Sequence, residues 1–287
     1  MNLSEFRVFF KNALSEIYPI QEIDSFFFIL ISEYLGLQRV DTVLKPDFKI
    51  DDEQLFVLKE ALSQLKKEIP IQYIIGKTEF YGYPFIVDKN TLIPRPETEE
   101  LVEWIINEVG SLRFETRIDF SILDIGTGSG CMPIALAKNL KNATISAIDI
   151  SADALKVAKK NADLNKVAIN FLEVDILQAK NLSEKYDIIV SNPPYVRELE
   201  KVEIKNNVLH NEPHLALFVA DENPLIFYNK IADLAKHHLK KNGLLFFEIN
   251  QYLAKETMAL LKQKGFKTIA LRKDIFNNDR MIKATLF

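Results

Sequence analysis

The chain contains 287 residues, of which 48% are hydrophobic and 26% are charged, and its formal net charge is −4. This composition is typical of a soluble globular protein and excludes a disordered or collagen-like chain. One cysteine excludes an internal disulfide framework, and the scattered histidines form no evident metal-ligand cluster. The acidic balance supplies no overall basic field for holding nucleic acid. No secretory signal is evident and no apolar run approaches the roughly 20 residues that span a bilayer, so we expect a cytoplasmic protein without membrane association.

The first 75 residues carry a helical pattern. Leu3, Phe6 and Phe10 recur at three- and four-residue steps, and a second amphipathic pattern follows Asp51 and Asp52, which suit a helix N-terminus. This segment has 8 basic and 12 acidic residues, so the whole net charge of −4 lies in it and the rest of the chain is balanced. We predict a small all-α domain over residues 1–75.

Glycines and prolines interrupt the next segment. They separate short β-prone pieces at 79–81 and 85–87, which predicts a hairpin-like linker over residues 76–100. A helix is then expected over 97–108, where the apolar side chains of Leu101, Trp104 and Ile105 lie at helical spacing.

Strand and helix patterns alternate over the remainder of the chain. Strands are predicted at 121–125, 144–150, 169–175, 186–191, 243–249, 267–273 and 280–286, and helices at 131–140, 152–165, 224–239 and 253–264. The last two strands are expected to form an antiparallel pair around residues 277–278. This alternation indicates an α/β fold with a doubly wound, mostly parallel seven-stranded sheet in a domain over 101–287.

A glycine-rich loop follows the first predicted strand of this domain. It contains Gly126, Thr127, Gly128, Ser129 and Gly130 and leads into a helix. Ligands of open α/β sheets bind at the carboxyl ends of strands, where glycines let the backbone approach them closely. The spacing GxGxG differs from the dinucleotide fingerprint GxGxxG, which makes a pyrophosphate ligand less favoured. A tight strand-to-helix turn without a ligand is the structural alternative.

Acidic residues end the next two predicted strands. Asp149 is placed to accept hydrogen bonds from both hydroxyls of a ribose, although Ser151 beyond it also makes a helix cap possible. Asp175 ends the third strand and is followed by Ile176. Together these two residues would lie beside an adenine, one as a polar and one as an apolar contact, and a turn or helix cap is the alternative.

The segment Ser191-Asn192-Pro193-Pro194-Tyr195 directly follows the fourth strand. Its prolines end ladder pairing and fix φ, so a rigid turn is expected at the carboxyl edge of the sheet. The Asn192 side-chain oxygen and the Pro193 backbone oxygen can both face a site there. Two convergent acceptors suit a planar NH₂ group, and Tyr195 offers a flat face to a planar substrate.

These residues resemble the S-adenosylmethionine-dependent methyltransferases that modify amine nitrogens, and within them the release factor glutamine methyltransferase (PrmC/HemK) family. The resemblance covers nearly the whole chain. It depends on segments that are not general methyltransferase features, PIQYIIGKTEFYG at 70–82 and LIPRPETE at 92–99, and on those at 124–130, 147–151, 191–195, 212–217 (EPHLAL) and 273–280.

The resemblance implies a class I, Rossmann-like methyltransferase domain preceded by a helical domain that docks class I peptide-chain release factors. The enzyme would methylate the glutamine amide nitrogen of their GGQ motif and release S-adenosylhomocysteine, as a monomer and without a metal. The implied cofactor-binding residues are Gly126, Thr127, Gly128, Ser129, Gly130, Asp149, Asp175, Ile176 and Asn192. The implied substrate-binding residues are Asn192, Pro193, Pro194 and Tyr195, of which the first two are catalytic.

Two positions depart from the family pattern: Asn250 stands where a glycine is usual, and Ile176 where a large aromatic residue is common. The main alternative function is an adenine exocyclic-amine methyltransferase acting on DNA or RNA, because the NPPY segment also serves that chemistry. The acidic charge balance and the lack of a basic target-recognition segment argue against it and against direct nucleic-acid binding. A cofactor-free adaptor would be expected to have lost Asp149 or Asn192, and both are present.

Overall fold

The computed structural model describes residues 1–110 and 119–286. Over these residues the chain divides into two compact units, Met1–Gly76 with Lys205–Asn211, and Lys77–Ile204 with Glu212–Phe287. No helix in the described ranges is both long enough and apolar enough to cross a membrane. Each unit buries its own set of hydrophobic core residues.

The first unit is helical, as the sequence predicts. Its consecutive helices are α1 (Leu3–Leu14), α2 (Ile20–Leu35), α3 (Asp41–Leu44), α4 (Asp52–Leu65) and α5 (Ile71–Ile75). The rings of Phe6, Phe10 and Phe27 are fully buried, and those of Phe10 and Phe27 have centroids 5.8 Å apart. Burial of such apolar side chains is the main source of this unit's stability.

Side chains at the N-termini of two helices explain why they begin where they do. The Asn2 side chain accepts a hydrogen bond from the Glu5 backbone at the start of α1, and the Glu5 side chain accepts one in return from the Asn2 backbone. Asp51 and Gln54 form the same reciprocal capping box at the start of α4. Such caps pair backbone N–H groups that the first helical turn leaves without partners.

A later segment of the chain, Lys205–Asn211, also belongs to the first unit. The Asn211 side chain donates a hydrogen bond to the Glu68 carbonyl at 3.2 Å, and Lys205 Nζ lies 3.9 Å from a Glu22 carboxylate oxygen. The backbone therefore enters this unit a second time, between Ile204 and Glu212.

The second unit begins with the predicted hairpin, β1 (Lys77–Phe80) and β2 (Tyr83–Ile86), which pair antiparallel and precede α6 (Pro96–Gly110). The prediction that Tyr81 belongs to a strand is wrong. Tyr81 and Gly82 both have positive φ values, 52° and 75°, and together form the two-residue turn. Such turns match the twist of the flanking strands, which is why the chain reverses here.

The remaining elements follow in order. They are β3 (Phe120–Ile125), α7 (Cys131–Asn139), β4 (Ala143–Asp149), α8 (Ala152–Asn165), β5 (Asn170–Glu173), β6 (Tyr186–Ser191), β7 (Val196–Arg197), α9 (Asn206–Asn211, in the first unit), α10 (His214–Leu217), β8 (Phe218–Val219), α11 (Ile226–His238), β9 (Leu239–Glu248), α12 (Ala254–Gln263), β10 (Thr268–Lys273) and β11 (Asp279–Thr285). In the described part of the chain, the central sheet has seven strands in the order β10-β11-β9-β6-β3-β4-β5. β11 runs antiparallel to both of its neighbours, and the other pairs are parallel, which confirms the predicted doubly wound sheet.

Both faces of the sheet are covered. Ile122 and Phe246 pack into a core on one face, while their chain neighbours Leu123 and Phe247 pack into a core on the other. Alternate side chains of a strand point to opposite faces, so apolar runs are needed in strands that are buried on both sides. This burial holds the carboxyl edge of the sheet, with its loops, in a fixed position.

Two details differ from the prediction. The strand expected at 169–175 extends only over Asn170–Glu173, so Asp175 does not end it but lies in the turn beyond. β5 is an edge strand, paired only with β4, and its short ladder ends at the Asp149–Glu173 pair. No helix or strand is predicted over 196–219, because the elements there have two to six residues, too few to show a period.

Candidate active site

The glycine-rich loop connects β3 to α7 and bends over the end of β4. The backbone N–H groups of Gly126 and Thr127 both donate to the Ile148 carbonyl, at 2.9 and 3.1 Å. Gly128 has a φ of 54°, and a Cβ at this position would face open space, so conformation alone favours glycine there. Gly130 has a φ of 79°, and a Cβ there would also lie 3.1 Å from Ala158 Cβ, so it is restricted by packing as well.

Asp149 ends β4 beside this loop. One carboxylate oxygen accepts a hydrogen bond from Gly128 N at 2.8 Å, and the other accepts one from Ser151 N at 2.9 Å. The side chain therefore orders the loop and the turn before α8, as the capping alternative anticipated. A carboxylate has about four acceptor positions, so each oxygen can still accept a hydrogen bond from a ligand hydroxyl.

Asp124 lies one residue before the end of β3 and is fully buried. Its two carboxyl oxygens and the buried Thr127 hydroxyl form no hydrogen bond of full geometry with any residue that the structure describes, although this hydroxyl lies close enough to Asp124 to lower its pKa. Burial raises the pKa of Asp124 to about 7, and the nearby charge of Asp149 acts in the same direction, although the Thr127 hydroxyl opposes them. Buried polar groups without partners are uncommon and mark places where a ligand or water completes the bonding.

A cavity of about 130 Å³ opens next to the loop. The predicted site residues in its lining are Gly126, Thr127, Gly128, Ser129, Asp149, Asn192 and Pro194. The lining also includes residues from outside the predicted set: Asn90, Thr91, Leu92, Pro94, Arg95, Thr98, Cys131, Met132, Ile150, Ser151, Ala154, Pro213, Leu215 and Ala216. The structure thus brings the glycine loop, the end of β4 and the NPPY turn together around one space.

A second, smaller cavity of about 50 Å³ is also lined by Asn192. Pro193 and Tyr195 line it, and Asn192, Leu92, Arg95 and Ala216 line both cavities. Asn192 is therefore the predicted residue that both spaces share.

Asn192 is held by a chain of hydrogen bonds. Its Nδ2 donates to Thr98 Oγ1 at 3.2 Å, and the Thr98 hydroxyl donates to Glu248 Oε2 at 2.7 Å. Asn192 Oδ1 and the Pro193 carbonyl accept no hydrogen bond from the described residues. Both oxygens therefore remain available as acceptors among the described residues, and their orientation toward a substrate stays a prediction.

Tyr195 is anchored at both its side chain and its backbone. Its hydroxyl donates to Glu248 Oε1 at 3.1 Å, and its carbonyl accepts from Asn250 Nδ2 at 2.9 Å. Asn250 Nδ2 also lies 2.8 Å from Glu200 Oε2, a buried carboxylate that pairs with Arg197. Asn250, which departs from the family pattern, thus secures the turn by side-chain bonds that a glycine could not make.

Arg95 enters the site from the LIPRPETE segment. Its guanidinium lies 2.6 Å from Glu212 Oε1, and the other oxygen of Glu212 accepts a hydrogen bond from Ile93 N at 3.2 Å. Glu212 is buried and begins the EPHLAL segment. The ion pair therefore fixes two of the resembling segments to each other at the edge of the cavity.

Comparison with known proteins identifies the family. The sequence model described as the PrmC N-terminal domain matches residues 8–76, and the one described as the Methyltransferase small domain matches residues 111–215. A release factor glutamine methyltransferase of Flavobacterium psychrophilum is 56% identical over 99% of this chain and 99% of its own length. That of Bacteroides thetaiotaomicron is 40% identical over 98% of this chain and 99% of its own length. The chain belongs to the release factor glutamine methyltransferase family.

Solved structures agree with the fold of this methyltransferase family. A methyltransferase from Pyrococcus furiosus has a TM-score of 0.52 at 17% identity, with 78% of this chain and 98% of that one covered. This likeness supports the class I methyltransferase fold. The adenine-amine alternative is not favoured, because relatives that match over the whole chain are named as release factor glutamine methyltransferases.

The residues of this methyltransferase site fit S-adenosylmethionine. The open space over Gly126 and Gly128 lets a ligand approach the backbone, and Asp149 retains acceptor positions for a ribose. The Thr127 hydroxyl, which lies in the lining of the cavity, offers a further polar partner. In the part of the chain that is described, no three His, Cys, Asp or Glu residues are arranged to hold a metal ion.

Three of the predicted cofactor residues lie outside the cavity lining. Gly130 faces Ala158 instead, and Ile176 is buried in the core on one face of the sheet. Asp175 Oδ1 accepts a hydrogen bond from Leu177 N at 2.9 Å, as in the turn alternative. The contact of Asp175 and Ile176 with an adenine therefore stays a prediction.

Three residues that support the site were not found from the sequence. Thr98 and Glu248 form the chain of bonds to Asn192, and Asn161 on α8 bonds both Ser129 O, at 2.9 Å, and the backbone of Ile86. Asn161 lies among the buried residues of α8. A polar residue at such a position needs a hydrogen-bond partner, and its place in the helical pattern could therefore have indicated a structural role. Cys131 lines the cavity, but desolvation raises the pKa of its thiol to about 12, so it remains protonated.

Proposed function

We propose that this chain transfers a methyl group from S-adenosylmethionine to the side-chain amide nitrogen of the GGQ glutamine in class I peptide-chain release factors. The observation that carries the proposal is the NPPY turn, where Asn192 Oδ1 and the Pro193 carbonyl are free acceptors beside the glycine-loop cavity. Two such acceptors match the two N–H hydrogens of a primary amide.

The cofactor is proposed to lie against the glycine loop from Gly126 to Gly130, with its ribose on Asp149. When bound, S-adenosylmethionine supplies an electrophilic methyl group on a positively charged sulfur, and S-adenosylhomocysteine is the product. Asn192 lines both cavities and is proposed to contact both cofactor and substrate. Asp175 and Ile176 are proposed as the adenine contacts, and no metal is required.

The acceptor glutamine needs precise placement, because the lone pair of an amide nitrogen is delocalised into its carbonyl. Asn192 Oδ1 and the Pro193 carbonyl would each accept one N–H hydrogen and hold the nitrogen at a near-attack distance of about 3–3.5 Å. The same acceptors stabilise the positive charge that the nitrogen gains in the transition state. Once methylated, the nitrogen is acidic enough to lose its extra proton to water, so no histidine or cysteine base is needed. Pro194 and Tyr195 are proposed to complete the substrate contact.

The helical domain over residues 1–75 is proposed to dock the release factor. The segment 76–100 is proposed to link it to the domain over 101–287, which is proposed to catalyse methyl transfer. The net charge of −4 over residues 1–75 suits a partner with a basic surface. Complementary charge steers encounter more than it adds affinity. The enzyme is proposed to act as a monomer on protein rather than on nucleic acid.

The proposal is tested by methyl transfer from labelled S-adenosylmethionine to intact release factor, to the factor with its GGQ glutamine replaced by asparagine, and to duplex DNA and RNA. Mass spectrometry should find one methyl group on that glutamine, and the other acceptors should remain unlabelled. Methyl transfer to DNA or RNA, together with no transfer to the release factor, would refute the proposal.

The role of Asn192 is tested with Asn192→Ala at saturating cofactor. We expect turnover to fall by roughly 10²–10³-fold, as for removal of one preorganised polar group from a transition state. Asn139→Ala is the matched control, since Asn139 is exposed at the end of α7 and donates only to the Ala135 carbonyl. Near-normal turnover of Asn192→Ala, with cofactor affinity measured in parallel, would remove it from the catalytic set.

A further inference from the structure

The side chain of Asn192 has two ends of similar shape and opposite chemistry. Its Oδ1 accepts hydrogen bonds and its Nδ2 donates them, so a half-turn of the carboxamide exchanges an acceptor for a donor. Only the Oδ1 end can accept a hydrogen from a substrate amide. The proposed chemistry therefore depends on something that selects one orientation of this side chain.

Two buried residues favour one orientation of the Asn192 carboxamide. Thr98 in the first turn of α6 is 3% exposed, and Glu248 at the end of β9 is 1% exposed. The Thr98 hydroxyl donates to Glu248 Oε2 at 2.7 Å, which leaves only lone pairs on Oγ1 for Asn192. Asn192 Nδ2 donates to that oxygen at 3.2 Å, and the reversed orientation would place Oδ1 against it without a hydrogen between them.

Glu248 can set this direction because it is an acceptor on both oxygens. Tyr195 donates to its other oxygen at 3.1 Å. Burial raises the pKa of Glu248, whereas the hydrogen bonds from Thr98 and Tyr195 and the nearby positive charge of Arg280 favour the ionised form. An ionised carboxylate has no hydrogen to give. With Glu248 ionised, Thr98 and Tyr195 both point their hydroxyl hydrogens at it, in agreement with the two hydrogen bonds.

We propose that Thr98 is a positioning residue, directed by Glu248, that holds the Asn192 carboxamide with Oδ1 toward the methyl-accepting amide. This inference deepens the proposed function and rests on it. A helical Thr can simply bond backbone of its own turn, but the partner of this hydroxyl is a side chain 150 residues away in the sequence. The LIPRPETE segment thereby contributes to the NPPY turn through a residue that need not touch the substrate.

The test uses the full chain with Thr98→Val, which keeps the side-chain shape but lacks the hydroxyl, and Thr98→Ser, which restores it. Thr257→Val is the matched control, because Thr257 is fully buried on α12 and its hydroxyl donates to the Leu253 carbonyl at 2.8 Å. With release factor as acceptor, we expect Thr98→Val to lower kcat by roughly 10- to 100-fold, within the loss for Asn192→Ala. Because Thr98 also lines the cofactor cavity, kcat is measured at saturating cofactor, and Thr98→Ser should recover most of the activity.

Glu248→Gln provides a second variant in the same chain of bonds. It keeps the shape but replaces one acceptor with a donor, so it should also lower kcat. Because the two residues act through one another, the double variant with Thr98→Val should lose little more than the worse single variant. Equal kcat for Thr98→Val and wild type, or failure of Thr98→Ser to recover activity that Thr98→Val loses, would overturn the proposal. Fully additive losses would also contradict it.

The side-chain NH₂ resonances of Asn192, assigned by their loss in Asn192→Ala, report the contact without turnover. They should shift in Thr98→Val but not in Thr98→Ser or Thr257→Val, and unchanged resonances in Thr98→Val would refute the positioning role. This readout separates the two proposals. A wild-type enzyme that does not methylate release factor would refute the proposed function, while the resonances would still decide whether Thr98 orients Asn192.

Discussion

Replacing Asp124 with asparagine should stabilise the ligand-free protein at neutral and alkaline pH. The Asp124 carboxyl is fully buried, and neither of its oxygens forms a hydrogen bond of full geometry with a described residue. Burial raises its pKa from 3.8 to about 7. Each pKa unit is worth about 1.4 kcal/mol, so ionisation of Asp124 at high pH costs the native state at most about 4 kcal/mol relative to the unfolded chain.

The pH dependence of this effect follows from the direction of the pKa. Between 3.8 and about 7 the native state holds a proton on Asp124 that the unfolded chain releases. The stability from this group is therefore complete below the unfolded pKa and is lost as the pH rises through about 7. Asparagine cannot ionise, so the advantage of Asp124→Asn should be largest at pH 8–9 and vanish near pH 4.

Thermal denaturation of both proteins from pH 4 to pH 9 measures the difference. Asp274→Asn is a control of opposite sign. Burial alone would raise the pKa of Asp274, but hydrogen bonds from Asn278 and Arg280 outweigh it and hold that pKa below its ordinary value. This control should lower the midpoint by a similar amount at every pH from 4 to 9, because the stability that a depressed pKa provides is lost only below 3.8. A midpoint difference between Asp124→Asn and wild type that does not change with pH would refute the reasoning.

Two further predictions concern binding. Asp149→Asn should weaken S-adenosylmethionine binding by about 10- to 100-fold, as for loss of hydrogen bonds to a charged group. The exposed control Asp153→Asn on α8 should leave the affinity unchanged, and equal affinities of Asp149→Asn and wild type by calorimetry would remove Asp149 from the site. Val43 and Leu44 on α3 are 75% and 70% exposed, and replacing both with serine should raise KM for intact release factor by about 5- to 30-fold, the effect of losing about 1–2 kcal/mol at an interface. Kinetics on a short glutamine peptide should be unchanged, as should those of Leu164→Ser on intact factor, and an unchanged KM for the double variant would exclude α3 from docking.

The sheet and its glycine loop were predictable because their signals are local. Ile188–Val190 within β6 form an apolar run that ends close to the NPPY turn. A strand that is apolar throughout must be buried on both faces of its sheet, and few folds provide such a position. The loop after β3 was also predictable, because its glycine spacing falls between a predicted strand and a predicted helix. Seven predicted strands consequently appear in the structure, with boundaries that shift by up to a few residues.

The supporting contacts were not predictable because they join distant parts of the chain. The Thr98–Glu248 bond spans 150 residues, and the Arg95–Glu212 pair spans 117. No local period marks either of them. The edge strand β5 was overextended because a β-prone sequence continues to Asp175, while the ladder with β4 stops at Glu173.

The second passage of the backbone through the helical unit has a consequence for recombination between relatives. Residues Lys205–Asn211 belong to that unit although they are encoded far from its other helices. A chimera with one junction near Gly76 would take its N-terminal helices from one relative and residues 205–211 from another. Contacts between them, such as the hydrogen bond from Asn211 to the Glu68 carbonyl, would then join two different sequences. Exchange of the helical unit as an intact piece therefore needs three junctions, near 76, 204 and 211. Because the two units are interleaved in the gene, they are expected to diverge together rather than to be exchanged independently.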